Sequence, residues 1–170
     1  YTTHIPAARV QMVIPDVSLY DHARSTSALA AALYLFHRDT DSLNEKAICD
    51  GSMEKFLLIS GDFYGIQDFI FSSGDDSGAN RSRLLRGRSF YVSIFSELAA
   101  DMVCMAIGLP PTAVVLNAAG KFTILAPNSS RVLEQISAIR QKLNTTLYTL
   151  NYGQSSFGLV CTPAHQSDFA

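Results

Sequence analysis

Apolar residues recur at steps of three or four positions in two long segments, residues 82–107 and 132–150. This spacing is typical of amphipathic helices that bury one face. In the first segment the repeated positions are Leu85, Tyr91, Phe95, Leu98, Met102 and Met105, with one longer step of six between Leu85 and Tyr91. In the second they are Val132, Ile136, Ile139, Leu143, Leu147 and Leu150. We therefore predict two long helices, the first stopped by Gly108 and the second ended by Gly153.

Short apolar segments around these helices predict strands. Residues 56–60 (FLLIS) are wholly apolar and end at Gly61 and Asp62, as in a buried central strand that delivers Asp62 to the edge of a sheet. The other predicted strands are residues 113–116, 122–126 and 156–161. The order strand, helix, strand, strand, helix, strand predicts an α+β fold with a ferredoxin-like (βαββαβ) domain, in which an antiparallel sheet carries both helices on one face.

The first part of the chain predicts a separate helical segment. Asp16 or Ser18 can cap a helix whose faces are nearly all apolar, so we expect it to need a partner that buries it. A polar segment with turn residues, 38–52, follows as a linker. The predicted organisation is a helical segment with its linker at residues 1–50 and the ferredoxin-like domain at residues 51–170.

The composition predicts a globular chain without a general attraction to nucleic acid. Of the 170 residues, 48% are hydrophobic and 16% are charged, which excludes a largely disordered protein. The net charge of -2 and the pI near 6.1 exclude an overall basic field that would hold nucleic acid. Any contact with nucleic acid must therefore be local.

Cysteine usage and hydropathy predict a cytoplasmic protein without a membrane segment. Cys49, Cys104 and Cys161 are odd in number and widely spaced, which favours reduced thiols over a disulfide framework. The longest continuous apolar stretch, residues 28–36, is about half the roughly 18 residues that a spanning helix needs. The chain begins at Tyr1 and not at Met, so we expect a processed protein or part of a longer one.

The first candidate site combines Asp62 with the connection between the second and third strands. That connection consists of Asn117, Ala118, Ala119, Gly120 and Lys121. Two-metal phosphoryl transfer needs several acidic ligands, and this connection contains none. Its small residues, backbone amides and Lys121 instead suit a cradle for a phosphate or a base. The structural alternatives are a tight turn at Gly120 and a cap of the following turn by Asp62.

The second candidate site is a cluster of basic residues at the start of the first long helix. The sequence RSRLLRGRS contains Arg81, Arg83, Arg86 and Arg88. A helix N-terminus with arginines suits the phosphates of a nucleotide or of RNA. The alternatives are a solvated charged face and ion pairs with Asp75 and Asp76, which directly precede the helix.

The third candidate site is His22, which follows Asp21. Phosphohydrolases of the HD type hold metal ions with several histidines and aspartates, whereas this chain offers one such pair and the scattered His4 and His37. The spacing equally fits a capping acid followed by a polar histidine.

Four segments together resemble the large subunit of type III-A, or Csm-type, CRISPR effector complexes. They are PDVSLYDHARSTSALAAALY (15–34), SGDFYGIQDFIF (60–71), LLRGRSFYVSIFSELA (84–99) and NAAGKFTILAPN (117–128). The pair formed by the second and third segments is far more specific than a lone glycine pattern. In that family an HD domain cuts single-stranded DNA, and two palm domains convert ATP to cyclic oligoadenylate when target RNA is bound.

The resemblance implies that the chain comprises the end of the HD domain and the first palm domain. It implies that Asp62, Gly65, Gln67 and the hairpin residues 117–121 help to bind ATP between the palms. It further implies Mg²⁺ or Mn²⁺ in the intact subunit, and as partners the other protein subunits, guide RNA, target RNA and single-stranded DNA. The family's HD dipeptide and its GGDD hairpin do not occur in these 170 residues. We therefore expect the chain alone to be inactive, with His22 left in an incomplete metal site.

Two further functions fit the same order of elements. An RNA-recognition domain reads bases through aromatic residues on its sheet, and Phe56 and Phe122 lie on predicted strands. A purely structural domain would dock neighbouring subunits of a ribonucleoprotein. The sequence does not separate the structural role from nucleotide binding, because both draw on small and apolar residues.

Overall fold

The computed structural model describes residues 2–7, 17–71 and 78–169. Its strands are β1 (Phe56–Tyr64), β2 (Val114–Ala118), β3 (Lys121–Pro127) and β4 (Ser156–Ala164). Its helices are α1 (Leu19–Asp39), α2 (Glu45–Cys49), α3 (Ile66–Phe71), α4 (Gly78–Ile107) and α5 (Ser130–Asn151). The four strands form one antiparallel sheet in the order β2-β3-β1-β4. The predicted α+β fold class is confirmed.

Both long helices pack on one face of the sheet because β1 and β3 alternate their side chains between two faces. On β1, Leu57, Ile59 and Phe63 belong to the main core. The helices contribute Val103 and Ile107 from α4 and Leu143 and Leu147 from α5 to this core. The residues between the core positions of each strand therefore belong to the opposite face.

Helix α1 covers one end of that opposite face. Ala28 and Ala32 are fully buried and pack against Phe56, Leu125 and Ala164 of three strands. The expectation that this apolar helix needs a partner is thus met in part by the chain's own sheet, since small residues let the helix approach the strands closely. Ser18 caps the helix by accepting a hydrogen bond from the backbone N–H of Asp21, and the alternative cap at residue 16 lies outside the described residues.

The predicted linker contains an ordered helix, α2. Asn44 caps its first turn. At its other end the Nζ atom of Lys55 donates hydrogen bonds to the carbonyl oxygens of Ala47, at 2.6 Å, and Ile48, at 2.9 Å. Lys55 is only 1% exposed, so these carbonyls satisfy an ammonium group that would otherwise be buried without a partner. The segment predicted as a linker therefore includes a short helix whose last carbonyls are bound by a buried lysine, and its role as a linker stays a prediction.

One segment of α4, Asn80–Ile107, is long and apolar enough to cross a membrane by length and composition. The window has a mean hydropathy of 1.6, and 39% of it is buried inside the structure. A core helix passes the same test, so this is weak evidence for a membrane. The sequence prediction missed the segment because isolated polar residues interrupt its apolar stretches.

Candidate functional site

One half of the sheet is left uncovered on the face that α1 shares, and we call it the open face. Its residues are Ser60, Asp62, Tyr64, Leu116, Ala118, Lys121, Thr123, Gly158 and Val160. Strand alternation places all of them opposite the main core. These residues form an accessible surface on four adjacent strands. The backbone hydrogen bonds between the strands fix the positions from which the side chains project, so the surface is suited to binding a ligand.

An ion pair crosses the centre of the open face. Asp62 on β1 is the register partner of Lys121 on β3, and Lys121 Nζ lies 3.0 Å from Asp62 Oδ2. The side chain of Lys121 is 64% exposed and that of Asp62 29% exposed. The pair contributes little to stability at this exposure, but it places a cation that a phosphate can reach.

Asp62 does not stand at the end of its strand as predicted. The strand β1 continues through Phe63 and Tyr64 and ends only at Gly65, whose φ of +79° suits glycine. The glycine at position 61 did not end the strand because its missing side chain makes room for the ring of Phe122. A Cβ atom at Gly61 would lie 2.4 Å from that ring. Asp62 therefore cannot cap the following turn.

The hairpin is tighter than the predicted five-residue connection. Ala118 pairs with Lys121, so the turn consists of Ala119 and Gly120 alone. Their φ angles of +52° and +88° are those of a type I′ turn, which matches the twist of two adjacent strands. Asn117, Ala118 and Lys121 belong to the sheet ladder. The predicted five-residue connection is therefore a two-residue turn with ladder residues on both sides, and its role as a cradle for a phosphate or a base stays a prediction.

Gly120 joins the hairpin to the segment that follows β1. Its carbonyl oxygen accepts a hydrogen bond of 3.0 Å from the N–H of Phe63. A Cβ atom at Gly120 would lie 2.9 Å from Ile66 of α3 and 3.0 Å from Val92 of α4. The turn is thus packed against the start of α3, where Gly65 precedes the helix and Gln67 is exposed. The two predicted nucleotide-binding segments lie side by side.

The predicted anion site at Arg86 and Arg88 is not formed at a helix N-terminus. Helix α4 begins at Gly78, four positions before the predicted start, so both arginines lie beyond the first turn and its free N–H groups. Arg88 donates to the carbonyl of Ile70 at 3.3 Å and lies 5.8 Å from the ring centre of Phe69. It holds α3 against α4. Arg86 donates to the carbonyl of Ser82 at 3.3 Å, and the acidic residues at 75 and 76 lie outside the described residues.

His22 stands apart from other metal-ligating side chains. It is exposed on α1, and its carbonyl oxygen accepts a hydrogen bond from Thr26. Within residues 2–7, 17–71 and 78–169, no group of three or more His, Cys, Asp or Glu side chains could hold a metal ion. The described residues bring no such group to His22, and its assignment to an incomplete metal site stays a prediction.

The sequence analysis did not single out Tyr64. Its side chain is half exposed on the open face, one strand alternation beyond Asp62. The signal that could have found it is the two-residue period of ISGDFY, which becomes visible only when the strand is extended past Gly61. By contrast, Phe56 and Phe122 are 2% and 1% exposed, so neither can stack a base as the RNA-recognition alternative requires.

The matches to known proteins agree with this architecture. The family description "Csm1 subunit domain B" matches residues 55–170. This chain belongs to the Csm1 family. A relative from Methanocaldococcus jannaschii, named as the CRISPR system single-strand-specific deoxyribonuclease Cas10/Csm1 (subtype III-A), is 32% identical over 153 residues, which cover 81% of this chain and 18% of the relative. The protein of the same name from Thermococcus onnurineus is 36% identical over 132 residues, covering 78% and 16%.

Solved Csm1 structures share the fold. The crystal structure of Csm1 from T. onnurineus superposes with a TM-score of 0.78 at 32% identity, covering 97% of this Csm1-family chain and 22% of that protein. A Csm1-Csm4 cassette in complex with AMPPNP gives 0.79 at 30% identity, with 97% and 21% covered. A cassette with cA4 gives 0.73 at 31%, with 87% and 19% covered. The chain spans about a fifth of the length of these relatives.

Proposed function

We propose that residues 51–170 are the first palm domain of a type III-A large subunit and that the open face contributes to its ATP site. In the intact subunit this site would convert ATP to cyclic oligoadenylate in antiviral defence. Support comes from the Csm1 structures that hold an ATP analogue and cyclic oligoadenylates. The observation that carries the proposal in this chain is the exposed ammonium group of Lys121, held over the open face by Asp62.

The geometry of the open face suggests how each of its residues would help to bind ATP. A triphosphate adds negative charge that competes with the Asp62 carboxylate for Lys121, and charge-assisted bonds of this kind are strong. Ala118 is exposed and is the register partner of Lys121, so its small side chain leaves room above the cation. Gly120 keeps the hairpin turn close to α3, because a side chain there would collide with Ile66, and Gly65 lets the end of β1 pass close to the backbone of Gln154.

Metal ions must be held by other parts of the intact subunit under this proposal. The described residues of this chain bring no acidic cluster to the open face, and Asp62 is engaged with Lys121. We propose that the Mg²⁺ or Mn²⁺ required by the intact subunit is ligated elsewhere, as is the metal of the single-strand nuclease. The 170-residue chain alone would then neither make cyclic oligoadenylate nor cut single-stranded DNA.

The same proposal names the partners of the intact subunit. A Csm4-type subunit is the best supported, because Csm1-Csm4 structures match most of this chain. Guide RNA, target RNA and single-stranded DNA follow from the family's role and act through the assembled cytoplasmic complex. The domain boundary near residue 50 belongs to this proposal as well.

The test is cyclic oligoadenylate synthesis by the complete effector complex carrying Lys121→Ala or Ala118→Leu. We expect both variants to lower synthesis at least tenfold, the first by removing a charge-assisted contact and the second by filling the space above the cation. Melting curves and target-RNA binding should match the unmodified complex, because both side chains are exposed.

The matched control is Lys46→Ala, which removes an exposed lysine on α2, away from the open face. It should leave synthesis unchanged. Equal synthesis by the complexes carrying Lys121→Ala, Ala118→Leu and Lys46→Ala would reject the proposed site. Activity of the purified 170-residue chain with ATP and Mg²⁺ would reject the claim that it is inactive alone.

A further inference from the structure

The ring of Tyr64 lies across β4 at Gly158. A Cβ atom at Gly158 would be 2.4 Å from the Cε2 atom of Tyr64 and 3.1 Å from its Cζ atom. The missing side chain at Gly158 is therefore what allows the ring to rest on the backbone of the neighbouring strand. The ring is nevertheless 50% exposed, so the side turned away from Gly158 is accessible.

Tyr64 is the aromatic residue of the open face. It lies two residues beyond Asp62 on the same strand, which separates their Cα atoms by about 7 Å. Gly158 is the register partner of Asp62, so the ring covers the position next to the ion pair. The aromatic ring of Tyr64 and the ammonium group of Lys121 therefore lie near each other on the same sheet.

We propose that Tyr64 forms a stacking subsite for the purine base of the nucleotide whose phosphates approach Lys121. This inference rests on the proposed function and adds the residue that recognises the base. A nucleoside triphosphate carries its base and its phosphates at opposite ends of the ribose, and it therefore needs an aromatic contact and a cationic contact set apart. The open face supplies both at Tyr64 and Lys121.

Stacking is the interaction that this geometry favours over a hydrogen-bonded base pocket. One side of the ring already rests on the backbone at Gly158, which leaves the other side for a base to cover. Stacking of a base on an aromatic side chain contributes about 1 to 3 kcal/mol in nucleic-acid complexes. The corresponding change in affinity is about 5- to 150-fold.

The experiment uses the complete effector complex and two readouts. One is the KM for ATP in cyclic oligoadenylate synthesis, and the other is the fluorescence of 2-aminopurine riboside triphosphate, which is quenched when its base stacks. We expect Tyr64→Leu to raise KM about 5- to 150-fold and to abolish the quenching. Tyr64→Phe keeps an aromatic ring and should restore both readouts.

A second variant moves the ring of Tyr64 without replacing the tyrosine. Gly158→Ala adds a Cβ atom where the ring rests, so the ring must move and base binding should weaken even though Tyr64 is intact. The matched control is Tyr148→Leu, which removes an exposed tyrosine on α5 and should leave KM and quenching as they are.

The outcomes separate this inference from the proposed function. If Lys121→Ala lowers synthesis while Tyr64→Leu leaves KM and quenching unchanged, the stacking subsite is rejected and the proposed site stands. If neither variant has an effect, both are rejected. If Tyr64→Leu instead lowers the melting temperature of the complex and Tyr64→Phe reverses only that loss, the ring packs against protein and the inference is overturned.

Discussion

The three cysteines differ in the environments of their thiol groups. Cys49 is exposed at the end of α2, whereas Cys104 is buried in the main core. Burial, together with the negative charge of Asp101, raises the pKa of Cys104 to about 11. Burial also raises the pKa of Cys161, and Arg140 opposes that rise. Because the thiolate is the reactive form, burial makes Cys104 and Cys161 less reactive, whereas Cys49 is exposed to a reagent.

We predict that a thiol reagent at pH 8 labels the 170-residue chain in one fast step at Cys49. With a pKa of about 11, only about one Cys104 thiol in a thousand is ionised at that pH. The check is labelling with an aromatic disulfide, followed by absorbance, for the unmodified chain and for Cys49→Ser. The fast step should vanish in Cys49→Ser, and Cys104 should react only in denaturant. Two equally fast thiols in the native chain would contradict the structure.

Individual residues also show where sequence analysis reaches its limit. Lys121 and Asp62 were both predicted for the nucleotide site, yet nothing in the sequence indicates that they pair directly. Their contact depends on the register of β1 against β3, which is set by packing of the two strands and not by either strand alone. Tyr64 was not singled out for a related reason, because its ring contacts Gly158, a glycine 94 positions further along the chain.

At the scale of elements, the hairpin contains a residue in an unfavourable conformation. Ala119 occupies the first turn position with a φ of +52°, a region that costs an L-residue other than asparagine or glycine roughly 1 kcal/mol. Asparagine is strongly preferred at this place in a type I′ turn that ends in glycine.

We therefore predict that Ala119→Asn stabilises the chain by about 0.5 to 1 kcal/mol, which raises the melting temperature by roughly 1 to 4 °C. Ala119→Val should lower it, because a β-branched side chain is least tolerated at positive φ. Ala118→Asn serves as the control, since it makes the same replacement in the ladder one residue earlier and should bring no gain. A stabilisation shared by both asparagine variants would argue against the type I′ turn.

The order and the type of the major elements were predictable, whereas their ends were not. Periodicity identified α4 and α5 as helices, but on α4 the predicted positions Leu98 and Met105 are exposed, and Val103 and Ile107 lie in the core instead. The prediction ended β1 too early at Gly61, since glycine usually interrupts a strand and here it accommodates a ring of the next strand. The predicted hairpin connection, residues 117–121, was also too long. Small residues occupy most of this segment, so the sequence did not show that only Ala119 and Gly120 form the turn.

At the scale of the whole molecule, one carboxylate joins α1 to the start of α5, and its partner Arg131 extends the connection to α4. Asp39 at the end of α1 accepts hydrogen bonds from Arg131 Nε at 2.9 Å and from Ser129 Oγ at 3.0 Å, both at the start of α5. Arg38 Nη2 donates a further bond at 3.0 Å. Arg131 also reaches the carbonyl of Ile107 at 3.4 Å, where α4 ends. Helix α1 is thereby connected at its C-terminal end to the start of α5, in addition to the contacts that Ala28 and Ala32 make with the strands.

The ionisation of Asp39 makes this connection dependent on pH. Burial raises its pKa, but the hydrogen bonds from Arg131, Arg38 and Ser129 outweigh that effect and leave the pKa below the usual value of 3.8. A carboxyl group whose pKa is lower in the folded state than in the unfolded state binds fewer protons when folded. Its contribution is therefore complete above the unfolded pKa and is lost as the pH falls through the folded value.

We predict that Asp39→Asn lowers the free energy of unfolding by about 2 kcal/mol at pH 7, since it weakens several charge-assisted hydrogen bonds to a side chain that is 8% exposed. The difference from the unmodified chain should stay constant between pH 8 and pH 5 and shrink below about pH 4, where the native carboxylate also becomes protonated. Urea unfolding, followed by circular dichroism at several pH values, measures this difference in the free energy of unfolding.

The control is Glu134→Gln, which neutralises an exposed side chain on α5 and should change the free energy of unfolding by less than about 0.5 kcal/mol. If the two variants behave alike at pH 7, or if the Asp39→Asn deficit is undiminished at pH 3, the connection between α1 and α5 does not depend on the charge of this carboxylate.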